Sequence, residues 1–119
     1  MAMPNQIYPR VTIPVTSGYS PYVEIRGKAL IGIETPAAWT SAAAITVKAK
    51  ATSDSAGCVV YDDQGTQITI AADAGRYIRL DERVFQGCGY LAFAADGQTS
   101  ARELKLVFRD EDELLGQGL

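Results

Sequence analysis

Histidine is missing from the 119 residues, and cysteine and tryptophan are scarce, with two and one respectively. Without an imidazole the usual Ser-His and Cys-His nucleophile pairs cannot be assembled, and no G-x-S-x-G elbow is present. A structural zinc site calls for about four Cys or His ligands, so this composition excludes one. Cys58 and Cys88 are too few for a disulfide scaffold in a chain that can bury a core. Free, buried thiols are the simplest reading, and a bridge between adjacent strands is the other. Long apolar runs are also lacking, because Arg26, Lys28, Glu34, Lys48 and Lys50 interrupt the most apolar regions. Nothing approaches the roughly 18 consecutive apolar residues of a membrane-spanning helix. Met1-Ala2-Met3-Pro4-Asn5 has neither the basic region nor the apolar core of a secretory signal, so synthesis in the cytoplasm is expected.

Nor is there a basic excess. The formal charge is −3, and four of the 14 acidic groups stand together as Asp110, Glu111, Asp112 and Glu113. Residues 1–109 therefore carry 10 acidic groups against all 11 basic ones, a nearly neutral body. Such a body offers no electrostatic footprint for a phosphate backbone, so a nucleic-acid partner is not expected. The acidic run reads as a solvated tail.

What the chain does contain is enough apolar material for one core. Hydrophobic residues make up 47%, too many for a disordered segment, and the length is that of a single ordinary domain. Short β-branched and aromatic runs alternate with turn formers. Val11 to Val15 carries an internal proline and suits an edge strand. Tyr22 to Arg26 and Lys28 to Glu34 are strand material broken at Gly27, and Thr35-Pro36 ends pairing. Ala37 to Ala44 is read as a loop entering the period-two strand Ile45 to Ala51. Cys58–Tyr61 and Thr66–Ile70 flank Asp62-Asp63-Gln64-Gly65 as a hairpin. Arg76 to Leu80 alternates and is expected to lie half buried. Asp81 stands where a helix cap would, predicting one helical turn through Phe85. Tyr90–Ala94 and Leu104–Phe108 complete the strands.

About eight short strands predict an all-β fold, a single antiparallel β-sandwich of jelly-roll type with extended tails. A closed barrel is the competing arrangement. The expected divisions are an N-terminal arm and first edge strand over 1–21, the sandwich over 22–109, and the acidic tail over 110–119.

Candidate chemistry is thin. Gly87-Cys88-Gly89-Tyr90-Leu91-Ala92 matches the G-x-G-x-x-A dinucleotide fingerprint in letters only, because it opens a strand where that motif must open a helix. Asp62 and Asp63 lack a calcium-loop pattern and point to opposite sides of a strand end, so a turn explains them better than a cation does. Neither a cofactor, a metal nor a catalytic constellation is expected. Trp39, in a Pro/Ala/Ser/Thr loop, is either a stacking platform for a sugar or protein partner or a plug at one end of the sandwich. Tyr8, Tyr19 and Tyr22 cluster among prolines, where an extended segment could pack on its own domain or reach a neighbouring subunit. Leu114 and Leu115 follow the carboxylates, and exposed paired leucines call for a partner. The C-terminal segment is therefore expected to order on assembly.

Three stretches carry a resemblance: Ala29-Leu30-Ile31-Gly32-Ile33-Glu34-Thr35-Pro36-Ala37-Ala38-Trp39-Thr40, Tyr61-Asp62-Asp63-Gln64-Gly65-Thr66 and Ala74-Gly75-Arg76-Tyr77-Ile78-Arg79-Leu80-Asp81. In this order the chain resembles a family of small virion-associated β-sandwich proteins of tailed bacteriophages, over about residues 28–109. The resemblance follows strands and turns and transfers no active site. It implies a non-enzymatic virion protein, first a multi-copy capsid decoration subunit, then a tail, fibre or head-tail connector subunit. The implied partners are major capsid or tail proteins and further copies of itself, with no membrane. A carbohydrate-binding module using Trp39 and the tyrosines is the reading from a different class.

Overall fold

Period-two alternation and well-placed turn residues produce ten β-segments and no helix among the described residues. The computed structural model describes residues 6–7, 9–14, 18–40, 43–81, 83–85, 88–95, 97–98 and 100–110. The segments are β1 (Gln6–Ile7), β2 (Arg10–Ile13), β3 (Val23–Glu24), β4 (Lys28–Glu34) and β5 (Ile45–Lys50). They continue as β6 (Cys58–Val59), β7 (Thr69–Ile70), β8 (Tyr77–Arg79), β9 (Tyr90–Ala95) and β10 (Arg102–Asp110). None of the described residues forms a helix long and apolar enough to cross a membrane.

All pairing is antiparallel, in two sheets. In the first, β10 is flanked on one side by β1 and β2 in succession and on the other by β4, which β8 follows. In the second, the order is β3, β9, β5, with β6 and β7 sharing the far side of β5. Taking β1–β2 and β6–β7 as one strand position each, eight positions run 1-8-3-6 in one sheet and 2-7-4-5 in the other. That is the double-sheet order of a jelly roll, as the strand pattern predicted, and not a closed barrel.

Turn chemistry sends the chain between the sheets. Gly27, with φ of 76°, sits in the turn where Lys28 N donates to Ile25 O at 2.9 Å, so the break at Gly27 is a crossing from one sheet to the other. The hairpin around Asp62–Gly65 departs in part from expectation. Its tight turn forms, with Asp62 Oδ1 accepting from Gln64 N and Thr66 N at 2.9 Å each and Gly65 at φ 83°. Its flanks, however, are one interrupted edge strand, which leaves β5 after Val60 as a short finger and rejoins it at Thr69. The helical turn expected after Asp81 is not a helix. Arg83 N and Val84 N donate to Asp81 Oδ1 and O, both at 3.0 Å, and the next residue, Phe85, is drawn into the core.

The core lies between the sheets. Leu30, Ile33, Leu104, Leu106 and Phe108 face Ile45, Val47, Leu91, Phe93 and Ala95. Trp39 is 3% exposed and closes one end of this core, with its indole Nε1 donating to Ala43 O at 3.1 Å. Trp39 is therefore a plug and not an exposed stacking platform, because the loop after Pro36 folds the ring inward. Its fluorescence should be blue-shifted and poorly quenched by iodide, turning red and quenchable on unfolding. Strong quenching in the native protein would contradict this placement.

Both cysteines are free. Cys58 is exposed, contrary to the expected burial, because β6 is an edge segment. It stands opposite Ala49, whose other neighbour is Leu91, so Cys58 and the strand that follows Cys88 are two strand spacings apart, about 10 Å. That exceeds the roughly 7 Å Cα limit for a disulfide. Burial pushes the Cys88 thiol above its ordinary pKa and lowers its thiolate fraction. A thiol reagent should therefore modify Cys58 quickly and Cys88 slowly in native protein, with two thiols reacting alike after denaturation. Equal native rates, or no free thiol, would contradict this assignment.

Candidate functional site

One outer surface combines an open strand edge, an exposed aromatic ring and two arginines. It is built from a bulge. Val107 pairs with Gly32 but Phe108 pairs with Leu30, so Ile31 is an extra residue on β4. The bulge places both Ala29 and Gly32 on the outer face while Leu30 and Ile33 stay in the core. Gly32 pairs with Arg79 of β8, and Ala29 pairs with Arg109 of β10, so both guanidinium-bearing residues share that face.

Tyr77, 52% exposed, begins β8 opposite Glu34. Its phenol lies diagonally over Gly32, where any Cβ would collide with the ring's hydroxyl end. Glycine is needed there so that the ring can rest on the sheet. Thr35 fixes the approach to β8: its Oγ1 donates to Asp73 O at 2.6 Å and accepts from Arg76 N at 2.9 Å, while Thr35 N donates to Arg76 O at 2.9 Å.

Beside Tyr77 lies a groove of about 470 Å³, lined by Ile31, Tyr77, Arg79, Leu80, Asp81 and Arg109. Arg83 donates to Asp81 from Nε and Nη2 at 3.2 and 3.1 Å, which holds that carboxyl below the usual carboxylate range. Arg79 has no hydrogen-bond or ion-pair partner among the described residues. The groove is thus open, part apolar and net basic. Its arginines and apolar lining suit an acidic segment with apolar side chains. On the other side of Tyr77 a second hollow of about 490 Å³ lies among Ala72, Asp73, Arg76 and Ile78.

The remaining sequence candidates fall elsewhere. Tyr19 and Tyr22 lie on the outer face of the second sheet, over Lys48 and Lys50, with Nζ to ring-centre distances of 4.6 and 4.5 Å. Tyr90 continues the stack between Lys50 and Arg26, at 5.3 and 5.6 Å. Ala92 and Ala94 also alternate outward here and are buried. These tyrosines therefore pack on their own domain, with cation–π attractions of about 0.5–1 kcal/mol each. Tyr8 lies outside the described residues, as do Leu114 and Leu115. Strand β10 continues to Asp110, opposite Lys28, so the first residue of the acidic run belongs to the sheet.

Asp62 is occupied by its turn, and no group of three or more His, Cys, Asp or Glu capable of holding a metal occurs among the described residues. Gly89 is buried against the Ala51 carbonyl at the start of β9, a packing role, while Gly87 lies outside the described residues. Sequence reasoning missed Tyr77, Arg79 and Gly32 as a site. Each reads as ordinary strand material, and only the register of β8, β4 and β10 brings them together.

No protein-family model, curated protein or solved structure matches the chain.

Proposed function

We propose that the protein is a non-enzymatic structural subunit of a tailed-bacteriophage virion, present in many copies and decorating or stabilising the capsid. The observation that carries this reading is the jelly-roll strand order with an accessible edge strand and an exposed aromatic groove beside it. Jelly rolls serve in capsid proteins and lectins, and small sandwiches present loops and edges for docking onto repeated lattices. The fold alone allows other uses, so the weight falls on the docking surface and on the resemblance described above. Weak contacts repeated over many copies gain avidity without a large interface. The same surface would serve a tail, fibre or connector subunit. The carbohydrate-binding alternative loses its main support, because Trp39 is buried and Tyr19 and Tyr22 pack against lysines, which leaves Tyr61 and Tyr77 as the exposed rings among the described residues.

Mass spectrometry of purified particles tests the proposal. The expected result is this chain in multiple copies per particle, retained after washing. A chain that is strictly monomeric and never co-purifies with a larger assembly would overturn it.

A further inference from the structure

We infer that the groove beside β8 receives the acidic, leucine-bearing segment 111–115 of a second copy of this chain. The inference rests on the multi-copy reading above and specifies one contact by which copies join. Its first support is the open edge. Arg76 O accepts from Thr35 N, and Leu80 N donates to Ile31 O, so residues 76, 78 and 80 turn their backbone groups toward β4. By alternation, the N–H and C=O of Tyr77 and Arg79 face away from β4, and β8 has no other strand partner among the described residues. An extended segment can add there as a further strand.

The second support is complementarity of charge and apolarity. Arg79, which has no hydrogen-bond or ion-pair partner among the described residues, lines the groove, and Asp81, the one carboxylate among its described lining residues, is already held by Arg83. The sequence Glu111-Asp112-Glu113-Leu114-Leu115 offers carboxylates for Arg79 and leucines for Ile31, Leu80 and the Tyr77 ring. The third support is length. Five residues extend to at most about 17 Å, more than the two strand spacings, about 10 Å, between β10 and the β8 edge, so the segment is long enough to reach beyond its own sheet. A run of adjacent carboxylates repels itself and disfavours a tight reversal, so a neighbour's groove is the better destination than the chain's own. Such a contact joins two different surfaces, tail to groove, and so can propagate around a ring or across a lattice. It is small against the roughly 800 Å² per partner of a stable pair, so in solution it is weak.

The test is complementation between two full-length variants, each checked for unchanged circular dichroism and melting. Arg79→Glu damages the groove and keeps the tail; Leu114→Ser with Leu115→Ser damages the tail and keeps the groove. By sedimentation up to about 1 mM, the wild type should self-associate, and less so near 1 M salt, where the Debye length is about 3 Å. Each variant alone should stay monomeric, while an equimolar mixture should form heterodimers through the one intact tail and the one intact groove. A monomeric wild type, variants that associate as the wild type does, or a mixture that stays monomeric would each overturn the inference. The last outcome, with the tail protected from protease in the monomer, would mean docking within one chain. Particle incorporation is scored separately. Copies reaching the particle despite self-association insensitive to both changes would leave the virion reading standing and this contact refuted; complementation without incorporation would do the reverse.

Discussion

Phe93→Ala should lower the free energy of unfolding by about 3–5 kcal/mol, measured from denaturant midpoints at constant slope. Phe93 lies in the middle of β9, fully buried, with β5 on one side and the chain around Ser20 on the other. Its backbone N–H donates to Ser20 Oγ and its carbonyl accepts from Ser20 N. Those bonds survive the substitution, so the loss comes from the ring alone: its transfer from water and the cavity it leaves between the sheets. Interdigitated neighbours such as Val47 and Leu91 stand on fixed strands and can close that space only partly. Against a total of about 5–15 kcal/mol for a domain of this kind, the variant is expected to be marginal at 37 °C. A loss under about 1 kcal/mol would show that the sheets are not packed through this ring.

Gly89→Ala should cost about 1–3 kcal/mol or somewhat more, whereas the same change at Gly32 should be close to neutral. The two glycines look alike, being buried and beside or within a strand. They differ in what a new methyl group would strike. At Gly89 it meets the carbonyl of Ala51 and, behind it, that of Lys50, to which Gly89 N donates at 3.2 Å. Those atoms are backbone at the end of a sheet strand and cannot move without breaking pairing. At Gly32 it meets the hydroxyl end of Tyr77, a half-exposed side chain that can swing into solvent. Replacing glycine in a strand also reduces the freedom of the unfolded chain, which offsets the small rearrangement. Thermal melts of both variants check the pair. Gly32→Ala should, in addition, lift the Tyr77 ring from the sheet and weaken self-association without weakening the fold.

Local signals in the sequence were enough for most strands. The alternation of Ile45 to Lys50 and of Tyr77 to Arg79, the stop at Thr35-Pro36 and the break at Gly27 all follow from period and backbone preference, which act over a few residues. Where long-range pairing decides, the sequence was less informative. The segment Lys28–Glu34 does not alternate, because the Ile31 bulge against β10 resets the faces, and no short window reveals a bulge set by a strand 76 residues away. Cys58 looked like core material and is exposed, since whether a β-segment lies at an edge depends on the whole strand order. Asp81 has a cap's chemistry, but the burial of Phe85 redirects the chain after a single turn. The groove itself needs β4, β8 and β10 in register, so its residues become a site only once the sheet has formed.

The pairing of Gln6 with Arg109 has a mechanical consequence. Because β1, β2 and β10 are antiparallel neighbours, points at residues 6 and 109 sit side by side at one end of the sheet. Tension applied between them does not shear the ladder along its length; it opens the ladder like a zipper, loading one rung at a time from the Gln6 end. Pro9 brings no N–H to that ladder, although its carbonyl still holds Leu106 N at 2.9 Å, so the seam is weakest near its start. A particle that pulled on the protein through both of these points would peel off the first edge strand at low force, while a pull spread across the face of the sheet would meet every rung at once.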